Sequence, residues 1–71
     1  MMRVDARGLS CPEPVIRARQ AVAGLPAGEQ AEIIVETETA RENVLRAVRS
    51  QGCDAEATAC DGGYRLIVTK R

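Results

Sequence analysis

The sequence contains no histidine, no tryptophan and no phenylalanine, and its single tyrosine is Tyr64. Without histidine neither a Cys-His nucleophile-base pair nor a Ser-His-Asp triad can be built, which excludes hydrolysis by a self-contained triad. One aromatic ring does not make a base-stacking platform, so direct binding of single-stranded nucleic acid is not expected. Ten basic residues balance ten acidic ones, and a net charge of zero draws the chain neither to nucleic acid nor to an anionic membrane. No apolar run approaches the ~20 residues needed to span a bilayer, and no signal-peptide pattern opens the chain. The expectation is a soluble, cytoplasmic protein with no membrane contact. The three cysteines, Cys11, Cys53 and Cys60, are too few and odd in number for a disulfide scaffold, and their spacing fits no zinc site. Neither a metal nor a cofactor is expected.

What is present suffices for one small core. The 71 residues are 45% hydrophobic, and a chain of this size buries only ~60% of its unfolded surface, so residues 1–71 are read as one domain. Met2, Val4 and Ala6 alternate with Arg3 and Asp5, as in a first strand. From Pro14 to Ala23 the apolar positions Val15, Ala18 and Val22, continued by Leu25, recur at helical spacing, with Arg17, Arg19 and Gln20 on the outer face. Gly24 ends this helix and Pro26-Ala27-Gly28 make a turn. Ile33-Ile34-Val35 is a β-branched run suited to a buried strand.

Thr39-Ala40-Arg41-Glu42 fits a capping box that opens a second helix, with Thr37 a rival N-cap. Val44, Leu45 and Val48 form its inner stripe, Glu42 and Arg46 are spaced for an i,i+4 pair, and Gly52 stands where a C′ glycine belongs. Cys53 to Cys60 alternates again, Asp61-Gly62-Gly63 is a hairpin turn, and Tyr64 to Lys70 is the last strand. The order β-α-β-α-β-β, with right-handed crossovers, predicts an α/β two-layer sandwich: a four-stranded mixed sheet carrying both helices on one face. The other face is left to water or to a partner.

Chemistry concentrates at Ser10-Cys11-Pro12-Glu13-Pro14. Pro12 fixes its own φ and pushes Cys11 towards extended backbone, which predicts Cys11 as N-cap and Pro12, Glu13 and Pro14 as the first helical residues. Glu13 itself precedes a proline, which favours a helix that starts in earnest only at Pro14. Pro14 has no amide, so the Glu13 amide is the one left to face the sulfur. The positive end of a helix dipole favours a thiolate by roughly 0.3–1 kcal/mol when exposed. The Glu13 carboxylate would repel that thiolate unless it turns away. From the residues alone two readings of Cys11 stand side by side: a reactive thiol, and a small apolar residue at an ordinary helix start.

The stretch from Asp5 to Ile16 resembles the opening of the TusA/SirA/YedF sulfur-carrier family, whose mark is a Cys-Pro-x-Pro motif. Ala40-Arg41-Glu42-Asn43-Val44, Ser50-Gln51-Gly52 and Gly62-Gly63-Tyr64-Arg65-Leu66 look most like the YedF branch, which is linked to selenium metabolism. The resemblance implies a two-layer fold and a sulfur relay. In that relay a cysteine desulfurase or rhodanese-type donor places sulfane sulfur on Cys11, and a cysteine-bearing acceptor protein receives it, in tRNA thiolation or in sulfur or selenium metabolism. It favours the reactive reading of Cys11, supported by Pro12, Glu13 and Pro14. Arg7 and Arg17 flank the motif and are candidates to steer an acidic partner or stabilise a persulfide anion. The alternative from another class is a regulatory or protein-interaction module without sulfur chemistry; RNA binding is the weaker third.

Cys53 and Cys60 lie seven positions apart on one predicted strand, too far at ~3.3 Å per residue to bond and on opposite faces. Cys53 is expected in the core. Cys60, on a polar face, is either a surface residue or an auxiliary thiol. Tyr64 is expected to pack.

Overall fold

The computed structural model describes residues 1–71 as six elements: β1 (Met2–Asp5), α1 (Glu13–Ala23), β2 (Gln30–Val35), α2 (Glu38–Ser50), β3 (Cys53–Cys60) and β4 (Gly63–Lys70). The sheet runs β1-β2-β4-β3. β1 and β2 are parallel, with Val4 opposite Ile33, whereas β4 is antiparallel to both β2 and β3. The predicted mixed sheet is therefore present, with β2 and β4 at its centre.

The period-2 alternation decides which side chains meet the helices. Ala31, Ile33 and Val35 from β2, Leu66 and Val68 from β4, and Cys53 and Ala55 from β3 form one cluster with Ala18 and Val22 of α1 and Val44, Leu45 and Val48 of α2. Both helices thus cover the same face, as the crossover rule requires. Alanines at 18, 31 and 55 let the two layers approach closely. Cys53 is 1% exposed and belongs to this core, as expected. Each of the larger fully covered aliphatics, Ile33, Leu66 and Val22 among them, gains about 1.5–3 kcal/mol from burial.

The opposite face carries charge. Arg3 stands beside Glu32 in register on the neighbouring strand, and its Nε meets Oε1 at 2.7 Å. Arg65 engages the other carboxylate oxygen, so two guanidiniums cover Glu32 and hold its carboxyl below the usual range.

Two local details differ from the sequence reading. Thr37, not Thr39, caps α2: its backbone is extended (φ −116°, ψ 158°) and Oγ1 accepts the Ala40 amide at 3.1 Å. The earlier start brings Glu38 into the positive first turn, where a carboxylate is favoured. The expected Glu42–Arg46 pair does not form. Arg41 lies between two carboxylates and takes both, Glu42 at 3.0 Å and Glu38 at 4.0 Å, while Arg46 reaches only the Asn43 side-chain oxygen at 3.5 Å. Arg41 also lies 5.0 Å over the Tyr64 ring, which is partly buried against the core. The hairpin turn is Asp61-Gly62, shorter than the expected Asp61-Gly62-Gly63 because Gly63 already pairs with Cys60 as the first residue of β4, and Gln51 is the C-cap of α2, followed by Gly52 at φ +80°.

Candidate functional site

Parallel pairing of β1 with β2 places the starts of the helices that follow them at the same end of the molecule. The loop Arg7–Pro12 leaves β1 there, and α2 begins there two residues after β2 ends. Cys11 is exposed. It borders a cavity of about 250 Å³ walled on one side by Leu9, Ser10, Pro12, Pro14 and Val15 and on the other by Thr37, Thr39, Ala40 and Asn43. A larger hollow of about 550 Å³, bordered by Arg49, Cys53, Asp54 and Arg71, opens where β2 and β3 begin, at the other end of the sheet. It holds none of the motif residues.

The helix start differs from the one expected. Pro12 is the N-cap (φ −98°, ψ 17°), α1 opens at Glu13, and no side chain caps it. Cys11 stands one residue outside, joined to Pro12 by a cis peptide. The Glu13 amide donates to the Ser10 carbonyl at 2.8 Å, so the amide predicted to face the sulfur closes the Ser10–Glu13 turn instead. That turn moves Cys11 off the helix. Ile16 donates to the Pro12 carbonyl at 3.1 Å, and Pro14 has no amide to offer. Val15 is then the first-turn residue whose N–H has no acceptor, and Val15 lines the cavity beside Cys11.

Glu13 and Arg17 settle each other. Arg17 Nε lies 3.8 Å from Glu13 Oε2 across one helical turn, which directs the carboxylate along the helix. Both side chains are about half exposed, so the pair contributes at most a few tenths of a kcal/mol. Arg7 is used differently from the expectation. Its guanidinium is bidentate on Asp5, at 3.0 and 2.8 Å, and its amide adds a third bond to the same carboxylate at 3.1 Å. These bonds hold the Asp5 carboxyl down at about 2 and push the Arg7 guanidinium up. Arg7 therefore braces the loop, with its charge already paired to Asp5. A second brace comes from Glu36, just past β2, whose Oε1 accepts the Gly8 amide at 3.0 Å. Gly8 has φ +80°, a conformation that glycine adopts without strain. Cys60 is exposed at the end of β3, and Asp5, Glu36 and Cys60 are the groups that face Arg7.

Of the motif residues, Cys11, Pro12, Pro14 and Val15 are brought to one cavity, whereas Arg7 and Arg17 are held by carboxylates outside it. The α2 wall and the Glu36 brace were not among the expected site residues. Ala40 and Asn43 stood within a stretch that carried the family resemblance, but no periodicity relates them to positions some thirty residues earlier. Only the parallel β-α-β connection does.

The fold is a two-layer α/β scaffold of order β-α-β-α-β-β with an exposed thiol, Cys11, just before its first helix. The model of the family described as Sulfurtransferase TusA matches residues 2–70, and the chain belongs to that family. It is 40% identical over 71 residues to a proposed sulfur carrier protein of Archaeoglobus fulgidus, covering 99% of this chain and 92% of that one. A proposed sulfur carrier protein of Methanocaldococcus jannaschii is 28% identical over 71 residues, with 99% and 95% covered. The crystal structure of a SirA-like protein from Desulfitobacterium hafniense superposes with a TM-score of 0.84 at 33% identity, covering 97% of this chain and 95% of that one.

Proposed function

We infer that this protein is a sulfur carrier that holds sulfane sulfur on Cys11 and passes it between partner proteins. The observation that carries the reading is the exposed Cys11 at the mouth of a partly apolar cavity, within Cys-Pro-Glu-Pro. In the loading step the Cys11 thiolate attacks the outer sulfur of a donor persulfide. A new S–S bond forms on Cys11, the donor S–S bond breaks, and the donor cysteine leaves as thiolate with its electron pair. The hydrosulfide proton stays on the transferred sulfur or is lost to solvent. No outside oxidant or reductant is needed. Unloading is the same step with Cys11 as leaving group.

The chain's own contribution is presentation. The proline-flanked turn limits the conformations of the thiol, and the Val15 amide, left without an acceptor in the first turn, is a hydrogen-bond donor available beside the cavity. With no histidine in the chain, acid-base groups come from whichever partner docks. A cysteine desulfurase or rhodanese-type enzyme is the donor class, a protein cysteine the acceptor class, and the cytoplasm the compartment that suits both. The test is to incubate the protein with a cysteine desulfurase and L-cysteine and weigh it intact. One added sulfur on wild type and none on Cys11→Ala is the expected result; an adduct that survives Cys11→Ala refutes the reading.

A further inference from the structure

Most cations of this chain are engaged. Arg3 and Arg65 hold Glu32, Arg7 holds Asp5, Arg17 faces Glu13, Arg41 faces Glu38 and Glu42, and Arg71 holds Asp54. Arg49 and Lys70 donate to the carbonyls of Ala55 and Val22. Arg19 and Arg46 are the two that neither a carboxylate nor a carbonyl engages, apart from the 3.5 Å contact of Arg46 with Asn43 Oδ1.

Their positions are related. On α1, Pro12, Val15 and Arg19 follow at i+3 and i+4 spacing, and on α2, Thr39, Asn43 and Arg46 do the same, so each forms a row along one helix face. Pro12, Val15, Thr39 and Asn43 are walls of the Cys11 cavity. Each row therefore starts at a wall of the cavity that Cys11 borders and ends, about one turn past it, at a guanidinium that no carboxylate pairs. The two helices, packed side by side, carry five arginines against three glutamates, although the whole chain is neutral. Ile16, 41% exposed, adds an apolar contact beside the α1 row.

We propose that the seam between α1 and α2 is the surface that recognises the exchanging partner, and that it takes a protein segment whose cysteine enters the cavity at Cys11 while carboxylates farther along it pair with Arg19 and Arg46. This rests on the carrier reading of Cys11. The spacing along α1 puts the carboxylates roughly 10 Å from the cysteine, three or so residues away in an extended segment. The apolar cavity wall accepts the uncharged part of the segment, and the unpaired guanidiniums select its charge.

The test uses synthetic peptides whose cysteine is activated as a 2-pyridyl disulfide, Cys-Gly-Gly-Glu-Glu against its Gln-Gln and Lys-Lys counterparts. The Cys11 thiolate attacks the peptide sulfur, the peptide–pyridyl S–S bond breaks, and pyridine-2-thione leaves and is read by absorbance. With wild type at low salt the Glu peptide should react roughly three- to tenfold faster than the Gln peptide and the Lys peptide slower. The preference should shrink at ~1 M salt, where screening acts within ~3 Å. It should disappear in Arg19→Glu/Arg46→Glu and persist in Arg71→Glu, which changes net charge on the other layer. Equal rates for the three peptides, or a preference that survives the double variant, overturn the proposal. Binding without chemistry is read separately by titrating ¹⁵N-labelled protein with Ser-Gly-Gly-Glu-Glu: shifts should concentrate at Val15, Arg19, Asn43 and Arg46, and shifts elsewhere or none overturn it. Loss of reaction with all peptides, with those shifts retained, would count against the carrier reading and leave the recognition surface standing.

Discussion

Arg7 folds back on Asp5, two residues earlier, with Nε and Nη2 at 3.0 and 2.8 Å from the two carboxylate oxygens. The loop leading to Cys11 is thereby closed on the strand that precedes it. Arg7→Gln should therefore load sulfur from a desulfurase at close to the wild-type rate, whereas Cys11→Ser should not load at all. A large fall in the Arg7→Gln rate, read by intact mass at early times, would return Arg7 to the sulfur chemistry.

The same pair makes stability depend on acid. The Asp5 carboxyl is held at about 2 in the folded chain against an ordinary 3.8, chiefly by the Arg7 side chain and then by its amide. A depressed carboxyl stabilises fully above its unfolded value, and that contribution is lost as pH falls towards the folded one. Glu32 and Asp54, lowered by Arg65 and Arg71, act in the same direction. Thermal unfolding followed from pH 6 to pH 2 should show a decline below about pH 4. The decline should be shallower in Asp5→Asn; identical slopes in the two proteins would contradict the assignment.

Thr37 and Thr39 compete in the sequence for the cap of α2, and Thr37 holds it through Ala40. Thr37→Ala should cost about 1 kcal/mol, a fall in Tm of roughly 4–8 °C for a chain of this size. Thr39→Ala should change Tm by no more than a degree or two. Calorimetry on both variants decides between the caps.

Gly63 opens β4 with φ +157°, and a methyl group there would overlap the Val35 carbonyl oxygen and crowd the Glu36 Cα at 3.0 Å. Gly63→Ala should destabilise by on the order of 3 kcal/mol. Glu36 accepts the Gly8 amide, so the displaced backbone should also loosen the Cys11 loop. Hydrogen exchange at Gly8 should accelerate by more than global unfolding accounts for. Exchange there that follows global stability alone would separate the two effects.

Leu66 is fully buried on a central strand. Leu66→Ala should cost about 2–5 kcal/mol, a large share of the stability of a small domain. A denaturation midpoint near that of wild type would show that the core relaxes around the cavity.

The architecture was legible because burial and periodicity agree. Alternation in Ala31, Ile33 and Val35 and in Cys53 and Ala55, the 3–4 spacing of Ala18 and Val22 and of Val44, Leu45 and Val48, and the glycines at turns each point to one arrangement. The helix starts were less legible. At Cys11 a proline at the presumed first position does select a non-helical residue before it, but propensity does not say that the Glu13 amide turns back to Ser10. At Arg46 the spacing for an ion pair with Glu42 was present, yet Arg41 stands between two glutamates and claims the carboxylate. Local rules rank partners without knowing which is nearer.

By itself the sequence determined the order of the elements, the residues that face the core, the lack of histidine and the Cys-Pro-Glu-Pro motif that marks the family. All of these follow from one-dimensional patterns: side-chain period, proline and glycine geometry, composition and motif. Tertiary structure alone decided that the start of α2 walls the Cys11 cavity, that Arg7 is bound to Asp5 and that Arg19 and Arg46 are left unpaired. The reason is that these depend on which positions distant in sequence share a place in space, and a parallel β-α-β connection brings them together through packing that no local spacing encodes.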